Sequence, residues 1–256
     1  TPCEHSFPTR RSSDLAHPVA FTLALTTPTV DADWLQRYAQ GLNAMAQNCG
    51  VGLVGGDTTR GPLSLTMTVF GRLPAGQALT RSGARPGDLL CVGGELGSAA
   101  GALPLVLGQR SADASIADPL LAHYWSPQPQ LALGVALRGK ATSAMDISDG
   151  LLADCGHIAK ASAVSLLIER QTLPLSQALL AFVGDDAARV AALSGGDDYV
   201  LVFTLPPAEL APLLADGWPV HVIGRVEVGQ GVTLLDVNGH DITPAIRGYQ
   251  HFRETP

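Results

Sequence analysis

Three short stretches set carboxylates beside glycines and hydroxyls, a combination suited to holding a divalent cation and the phosphates it accompanies. The first is Gly55-Gly56-Asp57-Thr58-Thr59-Arg60. It follows the apolar run 51–54 and precedes the alternating run 63–69, so it reads as a turn between two strands, with bare backbone N–H groups and an acid pointing outward. A polar hairpin turn capped by Asp57 fits the same residues, and spacing alone leaves both open. The second stretch is Ala144-Met145-Asp146-Ile147-Ser148-Asp149-Gly150-Leu151-Leu152, where a short strand becomes a helix. Asp146 and Asp149 stand three apart across the helix start, so both carboxylates can converge on one cation while Ser148 offers a hydroxyl. Ordinary N-capping by Asp or Ser is the alternative. The third, Ser194-Gly195-Gly196-Asp197-Asp198-Tyr199, is a second Gly-Gly-acid turn, this one opening a strand, and it too reads equally as a plain turn. Gly93-Gly94-Glu95-Leu96-Gly97 before an Ala/Leu helix suits either a helix N-terminus offered to phosphate or tight strand–helix packing. His157 has no Cys or His partner nearby and reads as a satisfied, half-buried histidine.

Regular elements must position these stretches. An apolar strand over 19–25 stops at the Thr27-Pro28 turn, and Asp31 caps a helix over 32–48 with Leu35, Tyr38, Leu42, Met45 and Ala46 on one face. The first acidic stretch and a partner strand running to Gly71 complete a β-α-β-turn-β unit. The Gly/Pro-rich connector 80–88 marks a domain boundary near residue 80, dividing the chain into 16–80 and 81–256. Beyond it, strands are expected at 89–92, 164–168, 200–203, 220–223 and 232–236, the last turning at Asn238-Gly239. Helices are expected between 118 and 138, broken at Ser126-Pro127-Gln128-Pro129, and around 176–182, 185–193 and 207–215. The class is α/β (α+β) in two domains.

Composition narrows the function. With 256 residues, 46% hydrophobic and 15% charged, the chain can bury a large core. The net charge is -7, and no Lys/Arg stripe is interleaved with aromatics, which argues against a nucleic-acid surface. The cysteines at 3, 49, 91 and 155 have neither metal-ligand spacing nor a disulfide framework; they read as reduced thiols and favour a cytoplasmic protein. No apolar run reaches the roughly 18 residues of a membrane helix, and residues 1–15 lack the apolar middle of a signal peptide. Residues 5–15 look instead like a translated sequencing adapter fused in frame, which implies that the natural start lies elsewhere.

Together with Leu79-Thr80-Arg81-Ser82-Gly83-Ala84-Arg85-Pro86-Gly87-Asp88 and Gly248-Tyr249-Gln250-His251-Phe252, the three acidic stretches resemble the thiamine-monophosphate kinase family, whose motifs they follow in order over residues 16–254. The resemblance implies the two-domain α/β fold of aminoimidazole ribonucleotide synthetase, here with the first domain incomplete, a homodimer formed through that domain, and ATP held between acidic loops. It implies that Asp57, Asp146 and Asp149 are catalytic Mg²⁺ ligands, and that Gly56, Asp57, Arg81 and Ser148 meet ATP. Asp197, Tyr249 and Phe252 would border thiamine monophosphate. Asp197 stands where the family often has Glu, and Ser126 and Gln130 flank a Pro-x-Pro where Arg is frequent. The family's Asp-rich front loop has no match before Ala16, so little activity is expected of the chain as it stands. The implied reaction moves the γ-phosphoryl of ATP to the phosphate of thiamine monophosphate, in line and with Mg²⁺, which accords with the lack of a Walker loop or a Ser-His-Asp set. Rivals are an ATP-dependent synthetase or selenide kinase of the same fold, or a non-catalytic nucleotide-binding protein.

Overall fold

A computed structural model describes residues 16–245 and 248. The chain begins with β1 (His17–Thr27), α1 (Ala32–Asn48), β2 (Gly52–Arg60) and β3 (Ser64–Arg72). Asp31 caps α1 as expected, its carboxylate accepting the Trp34 N–H at 3.0 Å. The helix lays Leu42, Met45 and Ala46 on Phe21, Val51, Met67 and Val69, which closes one face of a three-stranded sheet.

The order of that sheet corrects the sequence reading. It is β2-β1-β3, with β1 parallel to β2 and antiparallel to β3, so β2 and β3 are not partners. Residues 55–60 are strand throughout rather than turn; the turn falls at 61–63. A helical crossover delivers β2 parallel to β1, and the short link then steps over the end of β1, where the Gly61 N–H donates to the Thr27 carbonyl at 3.1 Å. Two inter-strand spacings amount to roughly 10 Å, within reach of such a link.

The rest of the chain forms β4 (Leu89–Val92), α2 (Ser98–Val106), α3 (Ala114–Trp125), α4 (Leu131–Leu137), β5 (Ser143–Asp146), α5 (Leu151–Ser162), β6 (Ser165–Glu169), α6 (Gln177–Val183), α7 (Asp185–Ser194), β7 (Leu201–Leu205), α8 (Leu210–Ala215), β8 (His221–Glu227) and β9 (Gly231–Leu235). Its sheet has the order β5-β7-β4-β8-β6-β9, antiparallel except for the β6–β9 pair. Alternate side chains feed two cores. Leu90, Val92 and Val202 pack with Leu151, Leu152, Cys155 and Ile158 of α5, whereas Cys91, Leu201 and Phe203 pack with Leu133 and Leu137 of α4 and Leu213 of α8. Helices therefore cover both faces, and β7 is buried at every residue, apolar except for Thr204, whose hydroxyl pairs with Thr142 and Ser143. The expected pairing of residues 232–236 through Asn238-Gly239 is limited to a single Leu235–Asp241 bridge, because β9 pairs with β6 instead. Leu131 of α4 also packs against the core of the small sheet, linking the two parts.

Cys49, Cys91 and Cys155 are free and buried, and burial pushes the Cys91 thiol up to about 12. Among the described residues, no helix is long and apolar enough to cross a membrane.

Candidate functional site

The β5, β4 and β7 pairings bring the end of β5, the end of β4 and the start of β7 to one edge of the large sheet. Two of the acidic stretches meet there. Asp146 closes β5 opposite Leu201, and the pairing continues beyond the strands: Ile147 N–H to the Val200 carbonyl at 2.9 Å, Tyr199 N–H to the Ile147 carbonyl at 2.8 Å, and Asp197 N–H to the Ser148 carbonyl at 3.0 Å. Asp146, Ser148, Asp149 and Asp197 thus share one backbone-zipped rim. Gly196 is required at this approach, since a Cβ there would stand 2.5 Å from the Ser148 carbonyl oxygen.

The loop around Asp197 is strained. Asp197 and Tyr199 both occupy the left-handed region, with φ of 67° and 51°, at a cost of roughly 1 kcal/mol each. The Tyr199 hydroxyl donates to Asp197 Oδ1 at 2.8 Å and fixes that carboxylate. Between them Asp198 turns inward, its side chain fully buried, and Asp198 Oδ2 accepts the Gly97 N–H at 2.7 Å. Gly97 is the N-cap of α2, its own N–H taken by this internal carboxylate, and a Cβ there would stand 2.6 Å from the Ala192 nitrogen, so the turn is closely packed. Asp198 Oδ1 faces His123 Nε2 at 3.7 Å, and this pair borders a cavity of about 460 Å³ with Gly94, Glu95, Gln128 and Val200.

Gln130 is structural. Its Nε2 donates to the Gly93 carbonyl at 2.7 Å and its Oε1 accepts the Leu201 N–H at 2.9 Å, so one amide ties the end of β4 to the start of β7. Ser126 lies at the cavity wall.

Sequence reasoning missed Asp154. In the first turn of α5 its carboxylate reaches back, and Oδ2 accepts the N–H of Ser148 at 2.8 Å and of Asp149 at 3.1 Å. Burial above all pushes Asp154 up to about 6; the two N–H donors oppose this, and the charges of Asp149 and Asp146 add to it. The signal was an acid inside the apolar run Leu151-Leu152-Ala153-Asp154-Cys155. His157 on the same helix is exposed, not half-buried.

Arg81 is exposed and lies on a segment running beside β5, where the Thr80 carbonyl accepts the Ala144 N–H at 2.9 Å. Gly248 comes so close to the acidic loop that a Cβ would meet the Asp149 carbonyl oxygen at 2.6 Å. Tyr249 and Phe252 lie outside the described residues.

Asp57 is held elsewhere, on the exposed β2, paired with Ala24 and accepting the Thr58 N–H at 2.8 Å. The register slips by one residue at Val54, and that bulge turns Asp57 to the face of Thr22, Thr26, Thr59 and Thr66, away from α1. Gly56 serves the same crowding: its φ is 152°, and a Cβ would stand 1.9 Å from the Leu23 carbonyl oxygen. Among the described residues, no three His, Cys, Asp or Glu side chains form a group able to hold a metal ion, so the expected trio of Asp57, Asp146 and Asp149 is not assembled as a cage. The Asp146–Asp149 loop still fits Mg²⁺. It offers hard carboxylate and hydroxyl oxygens at a site where like charges already repel, and Mg²⁺ is commonly bound by one or two carboxylates with substrate phosphates and water supplying the rest.

Two family models match the chain: "AIR synthase related protein, N-terminal domain" over residues 15–73, and "AIR synthase related protein, C-terminal domain" over residues 85–237. Thiamine-monophosphate kinase of Escherichia coli (strain K12) is 42% identical over 243 residues, spanning 93% of this chain and 74% of that protein. The crystal structure of thiamine-monophosphate kinase from Stenotrophomonas maltophilia K279a superposes with a TM-score of 0.84 at 40% identity, covering 91% of this chain and 76% of that one. A structure of AaThiL complexed with AMPPCP and TMP superposes with a TM-score of 0.84 at 27% identity, covering 95% and 77%. The fold is the two-domain, mixed α/β fold of AIR synthase.

Proposed function

The chain belongs to the thiamine-monophosphate kinase family, and from that premise we propose that it transfers the γ-phosphoryl group of ATP to thiamine monophosphate, giving thiamine diphosphate and ADP. One observation carries this reading: the Asp197 N–H donates to the Ser148 carbonyl at 3.0 Å, which fastens the acceptor-side loop to the loop assigned to the donor's metal and phosphates. A transfer between two phosphates needs such neighbours. The acceptor is already an anion near pH 7, so no strong general base is required, and none is assigned. The difficulty is repulsion between anions. Mg²⁺, when bound, supplies the neutralising charge, with Asp146, Asp149 and Ser148 as the residues that would hold it and the phosphates; Asp57 is assigned to the same donor side.

The chain's own residues orient the partners for in-line transfer. Tyr199 fixes the Asp197 carboxylate toward the acceptor, and the Gly196 backbone keeps that loop against Ser148. Gly56 and Arg81 are assigned to ATP, and Tyr249 and Phe252 to the thiamine end. The domain boundary is inferred near residue 80, between the two sheets. The cytosol is the inferred compartment, in keeping with free, buried thiols.

The test is ADP release with and without thiamine monophosphate, by this chain carrying at its front the Asp-rich loop of the family. Release should depend on the acceptor, fall by at least about 100-fold in Asp149→Asn, and show a raised acceptor KM with an unchanged ATP KM in Asp197→Ala. ADP release indifferent to thiamine monophosphate, or ATP binding without turnover, would turn the assignment toward a sister synthetase or a nucleotide-binding protein.

A further inference from the structure

The assigned Asp146–Asp149 loop has little regular structure of its own to hold its shape. It leaves β5 at Asp146 and enters α5 at Leu151, so four residues must turn, present their side chains outward and find partners for their buried N–H groups. Gly150 is the N-cap of α5 and has no side chain to cap with. The N–H groups of Ser148 and Asp149, which precede this cap, are taken by a carboxylate from within the helix.

We propose that Asp154 is the positioning residue of this loop: its buried carboxylate clamps the N–H groups of Ser148 and Asp149 from beneath, and so sets how Asp146, Ser148 and Asp149 present oxygen to a cation-bound nucleotide. The inference rests on the reading of that loop as the cation and phosphate site. Asp154 is 1% exposed, so it touches no substrate and acts through its neighbours. A single oxygen, Oδ2, takes both N–H groups at 2.8 and 3.1 Å, which draws two consecutive peptides toward one point and fixes the backbone that carries both side chains. Its place in the first turn of α5 is set by packing: Leu151, Leu152, Cys155 and Ile158 lock the helix into the core of the large sheet. A carboxylate there has a second consequence. Buried negative charge within interaction range of Asp146 and Asp149 is unfavourable in the empty loop and is relieved by a divalent cation, so the same residue that shapes the loop also raises its preference for one.

Asparagine and alanine separate the two effects. Asp154→Asn keeps an oxygen acceptor and the volume but removes the charge, whereas Asp154→Ala removes the clamp as well. Binding of Mn²⁺ with a non-hydrolysable ATP analogue, followed by calorimetry on the full chain, gives a readout independent of turnover. The half-saturating Mn²⁺ concentration should rise about tenfold in Asp154→Asn and further in Asp154→Ala, while the KM for thiamine monophosphate in Asp154→Asn stays within about twofold of the parent. Should Asp154→Ala melt at a lower temperature yet bind Mn²⁺ as tightly as the parent, Asp154 is only a structural residue and the inference is overturned. Should the parent itself bind no Mn²⁺ with nucleotide, the reading of the loop as a cation site fails, and the inference falls with it for that distinct reason.

Discussion

At the scale of single residues, the environment decides what a side chain can do more than its type does. Asp197, Asp198 and Asp154 are the same amino acid with three different tasks. Asp197 stands at the rim with its carboxylate tied to Tyr199, Asp198 is turned inward to take the Gly97 N–H, and Asp154 is buried under a loop. Adjacent acids at 197 and 198 were not distinguishable along the chain, because left-handed backbone at Asp197 and Tyr199 sends them in opposite directions. Cysteine gives the simplest test at this scale. Burial holds the Cys91 thiol near 12 and raises Cys155 as well, so at pH 8 neither forms the reactive thiolate in the folded chain. Iodoacetamide at pH 8 should leave Cys91 and Cys155 unmodified until denaturant is added, as read by mass spectrometry of peptides; prompt labelling of the native protein would contradict the burial.

Elements were legible where a local signal coincided with the final packing. The helix over 32–48 has its cap at Asp31 and its apolar face where periodicity put them, and the strand at 89–92 falls on the expected residues. Failure came where one residue of register mattered. The slip at Val54 is invisible to alternation, yet it decides which face carries Asp57, and the order β2-β1-β3 depends on a link stepping over a strand end rather than making a hairpin. Gly56 is the sharpest probe of this arrangement. Gly56→Ala should part β2 from β1 and cost more than about 2 kcal/mol, since the added methyl would meet backbone that cannot move without breaking the ladder. Denaturant unfolding followed by tryptophan fluorescence with Trp125 and Trp218 replaced by Phe, leaving Trp34 as the probe, would check it; an unchanged midpoint would mean that β2 is not seated as described.

The whole molecule joins a thin sheet with one covered face to a thick one with two. The β2 edge is exposed along its full length, and Leu53, Val54 and Phe70 on that small sheet and Leu63 in its turn are each about half-exposed or more, at 54%, 66%, 48% and 55%. Unpaired strand edges with apolar side chains favour association, in line with the homodimer that the family resemblance implies. Sedimentation velocity should show a dimer that Val54→Lys shifts toward monomer, and a monomeric parent at micromolar concentration would remove the proposal. By itself the sequence determined the class of the fold, most of the elements and the family, because apolar period, caps and glycine-acid motifs are local and written in order. Only the tertiary structure decided that Asp146, Ser148, Asp149 and Asp197 share a rim while Asp57 sits on a separate sheet, and that Asp154 lies beneath the loop. Those facts come from strand order, a one-residue bulge and a hydrogen bond from inside a helix, and none of them leaves a periodic mark on the chain.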